Sequence, residues 1–200
     1  MKTENTATPI LVLASTSPFR KEILQKLDMP FETASPDIDE SPLQEETPQQ
    51  LVQRLAEQKA QAVADNFPNA LIIGSDQVAV IDGEILGKPG THDRAVEQLQ
   101  NASGKTVHFY TGLCLYNTVS KHNQVEAVPF DVVFRDLSAE QIENYLRREQ
   151  PYNCAGSFKS EALGIALFER FEGSDPNALI GLPLIELVNF LGNEGFSILD

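Results

Sequence analysis

Two short segments of the chain carry side chains that suit an anion and a divalent cation. The turn Ser15–Arg20 offers hydroxyls, free backbone N–H groups and a guanidinium where a helix should begin, which suits an anion such as a triphosphate. The run Asp37–Glu40 offers carboxylate oxygens, the hard ligands that magnesium prefers. From these residues alone, a capped helix with a solvent-facing Arg20 and a solvated acidic loop remain open alternatives.

A β-hairpin brings another pair of candidate residues together. The segment 78–86 has the pattern of a hairpin with a two-residue turn at Asp82-Gly83. The register centred on that turn places Gln77 opposite Lys88 and Asp76 beside Lys88. A carboxylate next to an ammonium could serve catalysis or form a structural ion pair, and the hairpin alone leaves both readings open.

The elements that carry Asp76 and Lys59 distinguish them from ordinary surface residues. Asp76 follows the predicted buried strand 71–75, so we expect it at the strand's C-terminal end, where ligand crevices of α/β sheets commonly lie. Lys59 lies four residues after Leu55, on the apolar stripe of a predicted helix. An ordinary solvent lysine is not expected on such a stripe.

Strands alternate with helices along the chain, and one long antiparallel pair interrupts the alternation. This order predicts an α/β fold with a mixed sheet. The predicted strands are 10–15, 71–75, 78–81, 84–86, 106–116, 125–134 and 164–171. The predicted helices are 18–27, 48–66, 92–104, 139–149 and one that starts at Pro183, with loops at 35–46 and 151–161.

The late loop 153–161 has a composition compatible with ligand contact, although that composition is common in loops. It contains a glycine, two hydroxyls, Lys159 and Glu161. Cys154 in this loop is not expected to be a nucleophile, because no histidine is an evident base for it and nothing in the sequence would lower its pKa. The histidines also show no metal-ligand spacing.

Charge and composition limit the partners and the compartment. Fifteen basic and 29 acidic side chains give a net charge of -14, which would repel nucleic acid, and an anionic substrate would need placed Lys and Arg residues or a divalent cation. A length of 200 residues favours one domain, with residues 1–7 flexible. The apolar run 10–14 is too short to span a membrane, and two cysteines suit a reducing compartment, so we expect a cytoplasmic protein.

An ordered set of motifs covers nearly the whole chain and is more specific than any one segment. Together these motifs resemble the Maf family, whose members are read as nucleotide pyrophosphatases. The matching segments are Ala14-Ser-Thr-Ser-Pro18 with Arg20, Asp37–Glu40, Arg54-Leu-Ala with Lys59-Ala60, Gly74-Ser-Asp-Gln-Val78, Gly87-Lys-Pro89, Ser103-Gly104, Thr111-Gly112, Ala155-Gly156 and Gly181-Leu-Pro183.

The resemblance implies an architecture and a set of active-site residues. The architecture is the Maf-like relative of the inosine triphosphatase fold, a single domain over residues 1–200 whose two lobes enclose a central cleft, usually in a homodimer. The implied site has Ser15 and Arg20 at the phosphates, with catalytic residues Glu40, Lys59, Asp76 and Lys88. Glu40 and Asp76 would also hold the divalent cation, Mg²⁺ or Mn²⁺.

Two departures from the broader family pattern indicate a branch. Many members have arginine where this chain has Phe19, and Ala-Asp-Thr where it has Ser75-Asp76-Gln77. The aromatic residue, the Ser-Asp-Gln form and Glu161 after Lys159-Ser160 resemble the YceF-like branch, whose substrate class is 7-methyl-GTP. We therefore expect Phe19, Gln77 and Glu161 to read the base. Relatives closest to that branch carry tryptophan at the Phe19 position.

The expected reaction is attack of water on the α-phosphorus of 7-methyl-GTP, giving 7-methyl-GMP and pyrophosphate and removing a modified nucleotide from the pool. Asp76 would position and deprotonate the water, while the cationic side chains would neutralise charge on the triphosphate. One alternative is a pyrophosphatase for dTTP and UTP, as in the other Maf branch. Another is a non-catalytic nucleotide-binding regulator of cell division, against which the clustering of carboxylates and cations argues.

Overall fold

A seven-stranded sheet forms the centre of the molecule. The computed structural model describes residues 8–199, so the expectation about residues 1–7 lies outside the described part of the chain. The strands are β1 Ile10–Ala14, β2 Phe31–Ala34, β3 Ala70–Ile81, β4 Glu84–Leu86, β5 Thr106–Asn117, β6 Asn123–Phe134 and β7 Phe168–Gly173. The helices are α1 Pro18–Gln25, α2 Pro48–Ala62, α3 His92–Ala102, α4 Ala139–Glu149, α5 Pro176–Ile180 and α6 Leu184–Asn193.

The sheet is mixed, as the order of predicted elements indicated. Its strand order is β2-β1-β3-β5-β6-β7, and β4 pairs with β3 outside that path. The neighbours β2, β1 and β3 are parallel. The pairs β3–β5, β5–β6 and β6–β7 are antiparallel. The predicted α/β fold with a mixed sheet is therefore confirmed.

Side-chain caps begin several of the helices where the sequence places them. At the start of a helix the first backbone N–H groups lack partners, and a hydroxyl or amide side chain can accept their hydrogen bonds. Thr47 and Gln50 form a capping box at α2, and Ser138 and Gln141 form another at α4. Ser17 caps α1 through one hydrogen bond, which its side chain accepts from the N–H of Arg20. These local contacts fix the start of the helices that carry site residues.

Apolar side chains of β1 and β3 alternate between two helical layers. On one face Leu13 and Ile73 belong to a cluster that includes residues of α1 and α6. On the other face Val12 and Ile72 pack with residues of α2. A further cluster joins the distal parts of β3, β5 and β6 to α3 and α4. Within residues 8–199, no helix combines the length and apolar character needed to cross a bilayer.

The strand that carries Asp76 differs from the prediction. Residues 70–81 form one continuous strand, so Asp76 lies inside β3 and not at its end. The reason is β5, which pairs with β3 without a break from Leu71 to Val80 and so satisfies the backbone of the polar residues. The parallel ladder with β1 nevertheless stops at Ile73. Asp76 therefore lies just beyond the carboxyl end of β1, where a crevice is expected.

Strand β2, the start of β7 and helix α5 also differ from the prediction. Strand β2 was not predicted, because it is short and half of its residues are polar. The predicted strand 164–171 begins only at Phe168, since Leu163–Leu167 forms a 3₁₀ helix. The short helix α5, capped by Asp175, was missed as well. Element α5 bears on the site, because its carbonyl oxygens accept hydrogen bonds from Gln77 and that of Gly181, just after it, accepts one from Arg20.

Candidate active site

The structure brings all the predicted site residues to one cleft of about 690 Å³. They come from the turn before α1, the first turn of α1, the loop before α2, α2 itself, β3, the segment after β4 and the loop 153–161. The predicted residues that line the cleft are Ser15, Phe19, Arg20, Glu40, Lys59, Asp76, Gln77, Lys88 and Glu161. Residues up to 146 positions apart thus share one concave surface.

Two glycines let α2 lie directly on the sheet beside Asp76. A Cβ atom at Gly74 would lie 2.0 Å from the carbonyl oxygen of Ala56, and one at Gly112 would lie 2.0 Å from that of Val52. Gly112 pairs with Asp76 across the β3–β5 ladder. Because only glycine allows this approach, the backbone of α2 sits close enough for its buried lysine to reach the sheet.

Lys59 bridges the two predicted carboxylates of the site. Its Nζ atom lies 2.6 Å from Oδ1 of Asp76 and 2.7 Å from Oε1 of Glu40. The side chains of Lys59 and Asp76 are 7% and 12% exposed, whereas that of Glu40 is 60% exposed. These contacts explain why a lysine occupies an apolar stripe, since a buried ammonium requires charged or polar partners.

The same carboxylates suit a divalent cation. Within residues 8–199, neither Oδ2 of Asp76 nor Oε2 of Glu40 accepts a hydrogen bond from the protein. Among these residues there is also no group of three or more His, Cys, Asp or Glu side chains arranged to hold a metal ion. Magnesium is commonly bound by one or two carboxylates, with substrate phosphates and water as the other ligands. Asp76 and Glu40 fit that mode of binding.

Arg20 is held by the backbone that follows α5. Its Nε atom donates to the carbonyl oxygen of Gly181 at 2.8 Å, and Ser75 Oγ donates to the same oxygen at 2.9 Å. Burial lowers the pKa of Arg20, while the negative charges of Asp76 and Glu40 act in the opposite direction. The guanidinium stays charged, because its ordinary pKa is far above neutrality. Its remaining N–H groups are available to phosphate oxygens.

Ser15 contributes a hydroxyl at the start of α1. Its side chain is buried, and its Oγ atom accepts a hydrogen bond of 3.1 Å from the backbone N–H of Ser17. Because a hydroxyl can accept and donate at the same time, the O–H of Ser15 is still available to an anion. The turn before α1 therefore places a hydroxyl donor on the same cleft wall as Arg20, which lies in the first turn of α1.

Gln77 is more constrained than its predicted role assumed. Its Nε2 atom donates to the carbonyl oxygens of Ala178 at 2.7 Å and Leu179 at 3.0 Å, and to Thr111 Oγ1 at 2.9 Å. The amide nitrogen thus attaches β3 to α5. If Gln77 meets a ligand, it can do so only through its amide oxygen, as a hydrogen-bond acceptor.

The hairpin register is confirmed, but its predicted extension to Lys88 is wrong. Ile81 pairs with Glu84, as the turn indicated, and the ladder ends at Leu86. Lys88 therefore lies beyond the ladder, and Gln77 pairs with Thr111 of β5 on its other side. Chain geometry after β4 still brings Lys88 to the cleft wall, where it is exposed.

The outer part of the cleft contains an aromatic ring, a carboxylate and a thiol. Phe19 is partly exposed, and Glu161 accepts a hydrogen bond of 3.3 Å from Ser160 Oγ. Burial raises the pKa of the Cys154 thiol, which agrees with the expectation that it is no nucleophile. Burial also raises the pKa of Cys114, to about 12, and both cysteines are free thiols.

An ion pair that sequence reasoning missed holds the loop next to Glu40. Arg54 on α2 binds Glu46 with two hydrogen bonds, of 2.6 Å from Nε and 2.8 Å from Nη2. Nη2 also donates to the carbonyl oxygen of Ser41 at 3.1 Å, and Glu46 accepts from the N–H of Leu43 at 3.0 Å. We call this contact the Arg54–Glu46 clasp. Arg54 belongs to one of the recognised motifs, which was the available signal.

The Gly181 carbonyl was also missed. It orients Arg20 and Ser75 together, yet every residue has a carbonyl, so no side-chain pattern could mark this one as special. The motif Gly181-Leu-Pro183 was the only sequence signal for this position. Backbone groups of α5 and the residues after it therefore belong to the site as much as the side chains do.

The cleft combines cations with carboxylates beyond the carboxyl end of β1. Such a site defines an α/β protein that suits a polyanionic ligand together with a divalent cation. The fold resembles that of the Staphylococcus aureus Ham1 protein, with a TM-score of 0.55 and 14% sequence identity over 92% of this chain and 98% of that chain. The Maf-like protein family matches residues 10–194, and this chain belongs to that family. A 7-methyl-GTP pyrophosphatase of Nitrosococcus oceani is 58% identical over 199 residues, which span 100% of both chains.

Proposed function

We propose that this chain is a nucleoside triphosphate pyrophosphatase that converts 7-methyl-GTP to 7-methyl-GMP and pyrophosphate. The observation that carries the proposal is the contact of Lys59 with both Asp76 and Glu40 in a cleft that Arg20 and Lys88 also line. The full-length relative with 58% identity, named 7-methyl-GTP pyrophosphatase, supports the choice of substrate.

In the proposed reaction, water attacks the α-phosphorus and the bond to the oxygen that bridges the α- and β-phosphorus atoms breaks. Lys59 holds Oδ1 of Asp76 at 2.6 Å, so Oδ2 is the oxygen that orients the water and takes its proton. The oxygen of the water stays on the nucleoside monophosphate, and the electron pair of the broken bond leaves with pyrophosphate. Arg20 and Lys88 neutralise the charge that grows on the leaving group.

The charges in the cleft explain why a divalent cation is part of the proposal. The predicted site residues comprise three cations and three carboxylates, whose formal charges cancel. A triphosphate carries several negative charges, so local neutralisation requires a further positive charge. Asp76 and Glu40 would hold Mg²⁺ or Mn²⁺, which when bound would supply positive charge at the phosphates and lower the pKa of water.

Base recognition is assigned to the outer part of the cleft. Methylation at N7 gives guanine a delocalised positive charge, which an aromatic face and a carboxylate both favour over neutral guanine. Phe19 offers the ring and Glu161 the carboxylate, while the amide oxygen of Gln77 accepts a hydrogen bond. This assignment gives the three residues distinct roles in reading one base.

The oligomeric state and the compartment are inferred from the family. By the family resemblance we infer a homodimer in the cytoplasm. The chain has a mass of 22.0 kDa, so light scattering during size exclusion should give twice that value. A monomer mass at micromolar concentration would contradict the assembly without affecting the reaction.

One assay tests the reaction and the substrate together. Pyrophosphate release and the monophosphate product are measured for 7-methyl-GTP, GTP, dTTP and UTP with Mg²⁺ or Mn²⁺. The expected result is the highest kcat/KM for 7-methyl-GTP. Higher values for dTTP and UTP would assign the chain to the other branch, and no release from any triphosphate would support a non-catalytic nucleotide-binding regulator.

A further inference from the structure

A partly buried ion pair joins the loop that carries Glu161 to the end of α4. Lys159 donates from Nζ to Oε1 of Glu149 at 3.0 Å and to the backbone carbonyl oxygen of Glu149 at 3.3 Å. The side chains of Lys159 and Glu149 are 27% and 14% exposed. We call this contact the Glu149–Lys159 clamp.

The clamp holds the chain on both sides of Glu161. The second carboxylate oxygen of Glu149 accepts a hydrogen bond of 3.1 Å from the backbone N–H of Leu163. The backbone N–H of Lys159 donates to the hydroxyl of Tyr145 at 3.2 Å. Glu149 therefore binds one residue before Glu161 and another after it, and Glu161 lies between two fixed points on the cleft wall.

The position of Glu149 is unfavourable for the helix that carries it. It is the last residue of α4, where the partial negative charge of the helix end repels a carboxylate. Lys159 offsets that repulsion because it contacts both the carboxylate and a terminal carbonyl. A carboxylate at the end of a helix is disfavoured, yet both oxygens of Glu149 accept hydrogen bonds from residues near Glu161. These contacts indicate that Glu149 serves the conformation of that segment.

The clamp also determines whether Lys159 is available to pair with Glu161. Lys159 is two residues from Glu161 and is the cation nearest to it in sequence. Because Lys159 is bound to Glu149, its ammonium is not paired with Glu161. Within residues 8–199, Glu161 forms no ion pair, and its carboxylate accepts a hydrogen bond from Ser160 Oγ on the cleft wall.

We propose that Glu149 is a positioning residue for base recognition, which keeps Lys159 away from Glu161 so that Glu161 presents a full negative charge to a cationic base. This inference rests on the proposed function, because it concerns how the cleft distinguishes 7-methyl-GTP from GTP. It predicts that the preference depends on a residue that does not touch the substrate.

The test compares the ratio of kcat/KM for 7-methyl-GTP to that for GTP. Glu149→Gln keeps the shape of the side chain but removes its charge, which weakens its hold on Lys159 and allows that lysine to pair with Glu161. The ratio should fall roughly two- to fivefold, the range for a partly exposed charge interaction. Glu161→Ala gives the ratio in the absence of the carboxylate, and Glu140→Gln, at the exposed first turn of α4, is the matched control.

A double variant separates charge from loop order. In Glu149→Gln with Lys159→Met the cation that the single variant frees is removed, so the ratio should return close to wild type. Persistence of the low ratio in the double variant would mean that the clamp only orders the loop, and an unchanged ratio in Glu149→Gln would also overturn the proposal.

Two further measurements keep the test decisive. If Glu149→Gln does not fold, Lys159→Met alone removes the clamp and the cation together, and the proposal expects a ratio near wild type. A fall in that variant would overturn the proposal. A wild type that shows no preference for 7-methyl-GTP over GTP would instead contradict the proposed function, so the two failures are distinct.

Discussion

At the residue scale, Asp76 is the carboxylate on which the proposed chemistry depends. Lys59 fixes one of its oxygens at 2.6 Å, and the other is available to water. We expect Asp76→Asn to lower kcat by ~10²–10⁴-fold, the usual contribution of a positioned general base. The fold should persist because the change is nearly isosteric, which circular dichroism can verify. Turnover close to wild type in steady-state assays would remove Asp76 from the mechanism.

Phe19 gives a second prediction at this scale, concerning the strength of base recognition. A cation interacts best with tryptophan among the aromatic rings, and the contact contributes roughly 0.5–2 kcal/mol. Phe19 is 40% exposed on the cleft wall, which leaves room for the larger indole. Phe19→Trp should therefore raise kcat/KM for 7-methyl-GTP relative to GTP by about threefold or more.

The same ratio measured for Phe19→Leu provides the control, since leucine keeps apolar contact without a π-system. Equal ratios in the tryptophan and leucine variants would show that Phe19 contributes only apolar surface.

At the scale of elements, the Arg54–Glu46 clasp joins α2 to the loop that carries Glu40. The hydrogen bonds from Arg54 hold the pKa of Glu46 below its ordinary value of 4.5. Because the folded-state pKa is lowered, the stabilisation is complete above that ordinary pKa and is lost as pH falls through the folded-state value. Glu46→Gln should therefore lower the free energy of unfolding at pH 7 by about 1 kcal/mol, the upper range for a partly exposed pair.

Urea unfolding of both proteins at a series of pH values measures this difference. The gap between wild type and Glu46→Gln should close at acidic pH, where Glu46 of the wild type is protonated. A gap that stays constant from pH 7 into the acidic range would assign the stabilisation to packing of the side chain, with no contribution from its charge.

At the scale of the whole molecule, a net charge of -14 opposes the approach of any polyanion. The formal charges of the cations and carboxylates in the cleft cancel, so these side chains add no net positive charge against that field. We expect chelation of divalent metal to abolish pyrophosphate release, and added Mg²⁺ or Mn²⁺ to restore it. Circular dichroism in the chelator should show an intact fold, and full activity in excess chelator would contradict the role given to Asp76 and Glu40.

The sequence by itself determined what depends on neighbouring residues. Capping boxes at Thr47 and Ser138 and the Asp82-Gly83 turn were predictable because the groups that bond are only a few positions apart. The unusual place of Lys59 was visible for the same reason, since an apolar stripe is a local property of a helix. The motif set then identified the family and the predicted site residues, all of which line the cleft.

Tertiary structure decided what depends on contacts between distant residues. Asp76 lies inside a continuous strand because β5 pairs along all of it, and no local pattern in β3 reports that partner. Arg20 is oriented by the carbonyl oxygen of Gly181, 161 residues away, and a carbonyl carries no side-chain signature. In the proposal, the charge that Glu161 presents to a ligand depends on which carboxylate binds Lys159. That carboxylate is Glu149, and only the packing of α4 against the loop brings the two side chains together.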